Sequence, residues 1–198
     1  MRNVRRDLYE LIFVTRNRHK FMEVSRIAEE FGLRLKQYDK EPKLELQHER
    51  QELIVLTAAS TALLYVNKPL IIEDSGLYIK YLNGFPGPYS SFVFKRIGNE
   101  GILKLMEGVD DRGARFVCIA AFAHPEYGIK LFRGYVDGVI SRVMRGSSGF
   151  GFDPIFIPKG CSKTFAEMDV DEKNRYSHRS KAFKHLFEWL VRHLNLLY

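Results

Sequence analysis

Apolar positions along the chain follow two different periods, and these predict interleaved strands and helices. The apolar run at residues 11–14 is typical of a short buried strand, and it is followed by polar residues 15–19. From Lys20 the apolar spacing becomes helical, and Gly32 is a suitable C-terminal stop. The stripe consists of Phe21, Val24, Ile27, Ala28 and Phe31. The chain is therefore expected to open with a strand, a polar loop and a helix.

The same reasoning predicts a second helix at about residues 51–66, ended by Pro69. Residues 70–72 then form a buried strand that carries Glu73 and Asp74 at its C-terminal end. The remaining predicted elements are a Gly- and Pro-rich ordered loop at 83–91, a short helix at 98–108, long strands at 114–123 and 128–140 joined by a turn at 124–127, and a final helix at 177–194. This order predicts a mixed α/β architecture with long antiparallel strands in its second half.

Size and composition are compatible with one globular domain over residues 1–198, or at most two small lobes. The chain has 198 residues, of which 45% are hydrophobic, so it can bury a substantial core. No apolar run approaches the roughly 20 residues that a membrane-spanning helix needs. The two cysteines, Cys118 and Cys161, lack metal-ligand spacing, and Cys118 lies in an apolar run typical of a core residue. A reducing cytoplasm is the simplest compartment.

The charge balance narrows the class of partner without choosing among its members. The formal net charge is +7, with a sequence pI near 9.4. Such a surface favours polyanions, which include both nucleotides and nucleic acids, and it also suits a basic protein with no such partner.

The loop between the first strand and the first helix has the composition of a phosphate site. A helix N-terminus presents free backbone N–H groups and the positive end of the helix dipole. Thr15 and Asn17 add neutral polar groups, and Lys20 adds a full positive charge. The alternative interpretation is that Asn17 simply caps the helix.

Two consecutive carboxylates, Glu73 and Asp74, precede Ser75 and Gly76. Consecutive side chains of a strand point in different directions, so at most one of the two carboxylates faces the core side. Carboxylates near phosphate groups usually hold Mg²⁺, and one of them can deprotonate an attacking water. The alternative is a solvated strand end.

A glycine-flanked aromatic loop and a later basic cluster suggest a nucleotide pocket. Phe150 and Phe152 can stack on a purine, and Asp153 can fix a polar group. A cationic cluster follows, consisting of Lys173, His178 and Arg179, with Ser177 before the last helix. Each piece also has a structural interpretation: the rings can plug the loop into the core, Ser177 can cap the helix, and His178 can be a surface residue.

Taken together, these segments resemble the Ham1/ITPase family, and the chain looks like an archaeal member. The resemblance rests on TRNRHKFME (15–23), EDSGL (73–77), GFPGPYS (84–90), GFGFDPIF (149–156), KTFAEM (163–168), EKN (172–174) and SHR (177–179). It implies an elongated α/β fold with a long twisted mixed sheet, in which flanking helices form two lobes around a central cleft. It also implies a homodimer.

The reaction that the resemblance implies is Mg²⁺-dependent hydrolysis of noncanonical purine nucleoside triphosphates (ITP, dITP, XTP) to the monophosphate and pyrophosphate. Asp74 would be the general base and a metal ligand, together with Glu45 and Glu73. The substrate would be bound by Thr15, Asn17, Lys20, Ser75, Phe150, Phe152, Asp153, Lys173, His178 and Arg179. No membrane association and no nucleic acid as the primary ligand are expected.

Three positions depart from the family pattern. Arg16 replaces a glycine in the phosphate loop, and Leu44 replaces the proline before Glu45. The phosphate-binding lysine that many members carry in the second helix corresponds to a position near Thr57 in this chain. Two alternatives stay open: a pyrophosphatase of the same fold that acts on other modified nucleotides, and a basic protein that binds single-stranded nucleic acid.

Overall fold

The computed structural model describes residues 9–40 and 46–197 and has one mixed sheet with helices on both faces. The strands are β1 (Tyr9–Val14), β2 (Leu33–Tyr38), β3 (Leu70–Ile79), β4 (Pro86–Gly87), β5 (Gly113–His124), β6 (Gly128–Ile140) and β7 (Phe156–Pro158). The helices are α1 (Arg18–Glu30), α2 (Gln51–Val66), α3 (Ser90–Leu105), α4 (Val170–Tyr176) and α5 (His178–Val191). Short 3₁₀ turns lie at Asp153–Ile155, Phe165–Glu167 and Leu194–Leu197. The α/β class expected from the sequence is confirmed.

The sheet combines a parallel part with a long antiparallel part. Its order is β2-β1-β3-β5-β6-β7, and the two-residue β4 pairs with β3. Strand β1 runs parallel to both β2 and β3. The pairs β3–β5, β5–β6 and β6–β7 are antiparallel. The predicted hairpin of two long strands is confirmed as β5 and β6.

Each face of the sheet has its own helical cover. Helices α1 and α5 pack on the face that carries Ile71, Cys118 and Ala120, whereas α2 packs on the face that carries Ile72 and Ile119. Because burial removes the apolar residues of all three helices from water, this two-sided packing holds the layers together. Cys118 is fully buried, as expected.

Close contact between α5 and the sheet depends on Gly134 in β6. A Cβ at this position would lie 2.2 Å from the carbonyl oxygen of His178 and 2.4 Å from the backbone nitrogen of Ala182. Since real Cβ contacts do not reach such distances, only glycine lets α5 approach the sheet this closely. The contact fixes the start of α5, where His178 and Arg179 lie.

Several predicted bounds were wrong. Strand β3 does not end at residue 72 but runs to Ile79, because β5 pairs with it along its whole length, so Glu73 and Asp74 lie inside a strand. Helix α3 begins at Ser90 rather than near residue 98, and Gly98 breaks it with a φ of 61°. Strand β2 was not predicted.

The C-terminal region also differs from the prediction. The residues before the last helix form a separate short helix, α4, and the last helix ends at Val191. Among the described helices, none is both long and apolar enough to cross a bilayer.

Candidate active site

The loop between β1 and α1 is held by its own polar side chains. Asn17 caps α1, since its side-chain oxygen accepts a hydrogen bond from the backbone N–H of Lys20 at 3.2 Å. The hydroxyl of Thr15 accepts from the backbone N–H of Asn17, also at 3.2 Å. The capping interpretation is therefore confirmed for Asn17, and phosphate binding by Thr15 and Asn17 stays a prediction. The ammonium of Lys20 pairs with the carboxylate of Glu73.

Glu73 and Asp74 point to opposite faces of β3, as the strand geometry predicts. Glu73 lies opposite Ala120, on the face covered by α1 and α5, and Asp74 lies opposite Ile119, on the face covered by α2. Both are buried, with exposed fractions of 3% and 9%. The strand therefore supplies one carboxylate to each side of the sheet.

On its side, Glu73 is surrounded by donors and cations. Its Oε2 accepts a hydrogen bond from the Ser75 hydroxyl at 2.6 Å and from the Cys118 thiol at 3.4 Å, and the Nε of Arg179 lies 3.6 Å away. Burial, and next the charge of Glu73, raise the pKa of the Cys118 thiol well above its ordinary value, so the thiol acts as a neutral donor. Glu73 thus anchors Lys20, Ser75 and Arg179.

On the other side, Asp74 is hydrogen-bonded by α2. The side-chain Nε2 of Gln51, the first residue of α2, donates to Asp74 Oδ2 at 3.0 Å. No group of three potential His, Cys, Asp or Glu metal ligands occurs within residues 9–40 and 46–197. Glu45 lies outside the described residues. Ligation of one ion by both Glu73 and Asp74 stays a prediction, and their opposite directions weigh against it.

A buried ion network, absent from the sequence prediction, is built around Glu23 of α1. Its Oε1 accepts from Lys173 Nζ at 2.7 Å, and its Oε2 accepts from Arg179 Nη1 at 2.6 Å. Lys173 also donates to Asp153 Oδ2 at 2.6 Å. The side chains of these four residues are at most 5% exposed. Lys173 and Arg179 are therefore held in place before any ligand binds.

The pKa values within this network follow from burial opposed by charge. Burial raises the pKa of Glu23, but Arg179 and Lys173 together lower it further, so the result lies below the ordinary value. Burial also raises the pKa of Asp153, and here Lys173 only partly offsets the rise. Burial lowers the pKa of Arg179, but Glu73 and Glu23 more than compensate, so Arg179 stays charged.

The aromatic loop presents one phenylalanine to the site and buries the other. The ring of Phe150 lies 5.0 Å from Lys173 Nζ and 5.3 Å from Arg179 Cζ, and the ring of His19 stacks on it at 5.5 Å. Phe152 is only 3% exposed and packs edge-on against Phe94 in the core. Asp153 holds the loop by accepting from the backbone N–H of Phe150 at 2.8 Å. Base stacking by Phe152 stays a prediction that this burial does not favour.

His178 is deeply buried, contrary to its alternative interpretation as a surface residue. Its ring stacks on Phe116 with centroids 4.6 Å apart, and neither ring nitrogen has a hydrogen-bond partner among the described residues. Burial lowers the pKa of His178 well below its ordinary value, and the adjacent cations lower it further, so the imidazole is neutral. Ser177 caps α5 through a hydrogen bond from the backbone N–H of Ser180 at 3.1 Å.

Sequence reasoning missed two residues of this site, Glu23 and Gln51. Glu23 carried a signal, because it lies one helical turn before Ile27 on the buried stripe, where an acid requires a partner. Gln51 carried none, since a glutamine at the first position of a helix is unremarkable. Its partner is 23 residues away in the sequence.

Known proteins resemble this chain over nearly its whole length. The family model described as "Ham1 family" matches residues 11–189. A protein of Hyperthermus butylicus named dITP/XTP pyrophosphatase is 47% identical, over 91% of this chain and 94% of that protein. One of the same name from Pyrococcus horikoshii is 48% identical, over 96% and 100%. The solved structure of a HAM1 protein from Coxiella burnetii has a TM-score of 0.80 at 29% identity, covering 93% of this chain and all of that one.

Proposed function

The chain belongs to the Ham1 family, and from that premise we propose that it hydrolyses noncanonical purine nucleoside triphosphates (ITP, dITP and XTP) to the monophosphate and pyrophosphate. The observation that carries this proposal is the pair of buried cations, Lys173 and Arg179, held over the Phe150 ring by Glu23. They place hydrogen-bond donors beside a surface on which a purine can stack.

These donors favour a 6-oxo purine over adenine. Lysine and arginine side chains donate hydrogen bonds and cannot accept them. The 6-oxygen of hypoxanthine or xanthine accepts from such donors, whereas the 6-amino group of ATP would face them with donors of its own. An unmet buried donor costs about 1–3 kcal/mol, which corresponds to roughly 5- to 150-fold in selectivity. The ring nitrogens of neutral His178, which have no hydrogen-bond partner within residues 9–40 and 46–197, add a further polar contact that a base can satisfy.

In the proposed reaction, the triphosphate lies towards the β1–α1 loop, where Lys20 exchanges its pairing with Glu73 for phosphate oxygens. Asp74 accepts a proton from water as the water oxygen attacks the α-phosphorus. The bond from the α-phosphorus to the bridging oxygen breaks, and pyrophosphate leaves with the electron pair. Lys20 stabilises the negative charge of the departing pyrophosphate.

The buried Asp74 carboxylate fits Mg²⁺, which prefers oxygen ligands and needs only one or two protein carboxylates when phosphates and water complete its shell. Asp74 and Glu45 would hold the ion, and it would neutralise charge on the phosphates. The homodimer and the two lobes implied by the resemblance are further parts of this proposal, as is the cytoplasmic location expected from the composition. Measurement of the molecular size in solution is the direct test of the dimer.

The test is pyrophosphate release from a panel of ITP, XTP, dITP, GTP, ATP and modified pyrimidine triphosphates, with and without Mg²⁺. We expect turnover of ITP and XTP to exceed that of ATP, and Asp74→Asn to lower kcat by at least about 100-fold, as for loss of a general base. Near-normal turnover in Asp74→Asn would refute its role. Preference for a modified pyrimidine would instead support the same-fold alternative.

The nucleic-acid alternative makes a different prediction in the same samples. It requires strong, salt-dependent binding of oligonucleotides and no pyrophosphate release. The burial of Phe152 counts against it, since it removes one of the two phenylalanine rings on which bases would stack.

A further inference from the structure

The carboxylate of Asp74 is tied to a neighbouring tyrosine through one glutamine. The hydroxyl of Tyr78 donates to Gln51 Oε1 at 3.2 Å, and Gln51 Nε2 donates to Asp74 Oδ2 at 3.0 Å. Gln51 is 3% exposed. Because a buried amide without partners is costly, these bonds fix the orientation of its side chain.

The chemistry of the groups decides which one donates in each of these two hydrogen bonds. An ionised carboxylate accepts hydrogen bonds and has none to give, so the amide must turn its NH₂ group towards Asp74. Its oxygen then faces Tyr78, which must act as donor. Burial, and next the charges of Asp74 and Glu52, raise the pKa of Tyr78 to about 12, so the hydroxyl keeps its proton at neutral pH.

These hydrogen bonds also join two separate secondary-structure elements. Gln51 begins α2, whereas Asp74 and Tyr78 lie on β3, four residues apart and therefore on the same face. Gln51 and Tyr78 line a cavity of about 410 Å³, together with Arg133 and other residues. The sheet supplies the carboxylate, and the helix supplies the group that limits its rotation.

We propose that Gln51 and Tyr78 are positioning residues, which hold the Asp74 carboxylate in the orientation that accepts the proton of the attacking water. This inference rests on the proposed function. A general base must be aligned within a fraction of an ångström, and a displacement of about 1 Å can cost 100-fold in rate. Tyr78 is linked to Asp74 by hydrogen bonds through Gln51, so the two residues are expected to act as one unit.

The test is a double-mutant cycle with Gln51→Met, Tyr78→Phe and both together, measured as kcat and KM for ITP. We expect Gln51→Met to lower kcat by about 10- to 100-fold and Tyr78→Phe by about 5-fold, with KM changed less than about twofold, because base recognition lies on the other face of β3. The double variant should be no slower than Gln51→Met alone. Tyr135→Phe, on the same face and 48% exposed, is the matched control and should keep wild-type kinetics.

The outcomes are separable. Additive losses, a change in KM alone, or full turnover in Tyr78→Phe would overturn the positioning role while leaving the proposed function intact. If the wild-type protein releases no pyrophosphate from any purine triphosphate, the proposed function is refuted. The positioning role of Gln51 and Tyr78 is then refuted as well. If Gln51→Met fails to fold, the side-chain amide resonance of Gln51 decides: it should shift in both Tyr78→Phe and Asp74→Asn, and an unmoved resonance in either overturns the proposal.

Discussion

Replacing Glu23 with glutamine would test the energetic balance of the buried ion network. The substitution keeps the shape of the side chain but removes the charge that neutralises Lys173 and Arg179, whose nitrogens lie 2.7 and 2.6 Å from its oxygens. These side chains are 2–4% exposed, so water cannot replace the lost carboxylate. Lys173 would keep Asp153 and Arg179 would keep Glu73 as a neighbouring carboxylate, but the two buried cations would share one negative charge fewer.

The expected cost follows from the class of interaction. Removing one partner of a buried ion pair destabilises by about 3–5 kcal/mol, which is a large share of the roughly 5–15 kcal/mol that stabilises a typical domain. Asp153 and Glu73 retain part of the compensation, so the lower end, about 3 kcal/mol, is expected. For a chain of this size that value corresponds to a fall in Tm of about 6–12 °C.

Urea unfolding of the wild type and of Glu23→Gln measures this cost, with an unchanged m-value as the sign that only stability has changed. Lys80→Met is the matched control: it breaks an ion pair of 2.7 Å in which both side chains are more than half exposed, and its midpoint should equal that of the wild type. A loss below about 1 kcal/mol in Glu23→Gln would show that the network does not depend on this carboxylate.

Two further predictions concern stability. Burial lowers the pKa of His178, so below about pH 6.5 the unfolded chain binds a proton that the folded protein excludes. As the pH is lowered, the free energy of unfolding of the wild type should therefore decrease by up to about 1.4 kcal/mol per pH unit more than that of His178→Gln. Parallel urea titrations from pH 7 to 5 would show no such difference if the imidazole were charged in the folded protein. Gly134→Ala should destabilise by about 1–3 kcal/mol because its Cβ meets the backbone of α5, whereas Gly113→Ala meets only side-chain atoms and should cost less; equal midpoints would mean that α5 can move aside.

The sequence predicted those parts of the fold in which a single period persists. Helices α1 and α2 were predicted because their apolar positions recur at helical spacing over several turns, and the β5–β6 hairpin was predicted from two long segments separated by the turn at 124–127. Strand β2 was missed because only Leu33 and Leu35 are buried in it, which is too short an alternation to recognise. The start of α3 was hidden because its first turn follows directly on a Gly- and Pro-rich loop.

The sequence indicated candidate residues for the site but not the contacts between them. The motifs indicated Lys173 and Arg179, but their partner Glu23 lies 150 or more positions earlier in the chain. Similarly, spacing identified both Phe150 and Phe152 without indicating that the second would be buried. Packing between distant parts of the sequence determined which side chains contact one another.

The alternation of Glu73 and Asp74 across β3 has a consequence for how this protein can change in evolution. Loops at the surface tolerate insertions, but a single residue added or removed within β3 would exchange the sides of the two carboxylates. Lys20 and Arg179 would then lose Glu73 as a partner, and Gln51 would face the wrong acid. Insertions and deletions among descendants of this chain should therefore accumulate in the connecting loops and be excluded from β3. The fixed length of this strand keeps each carboxylate on its own face of the sheet.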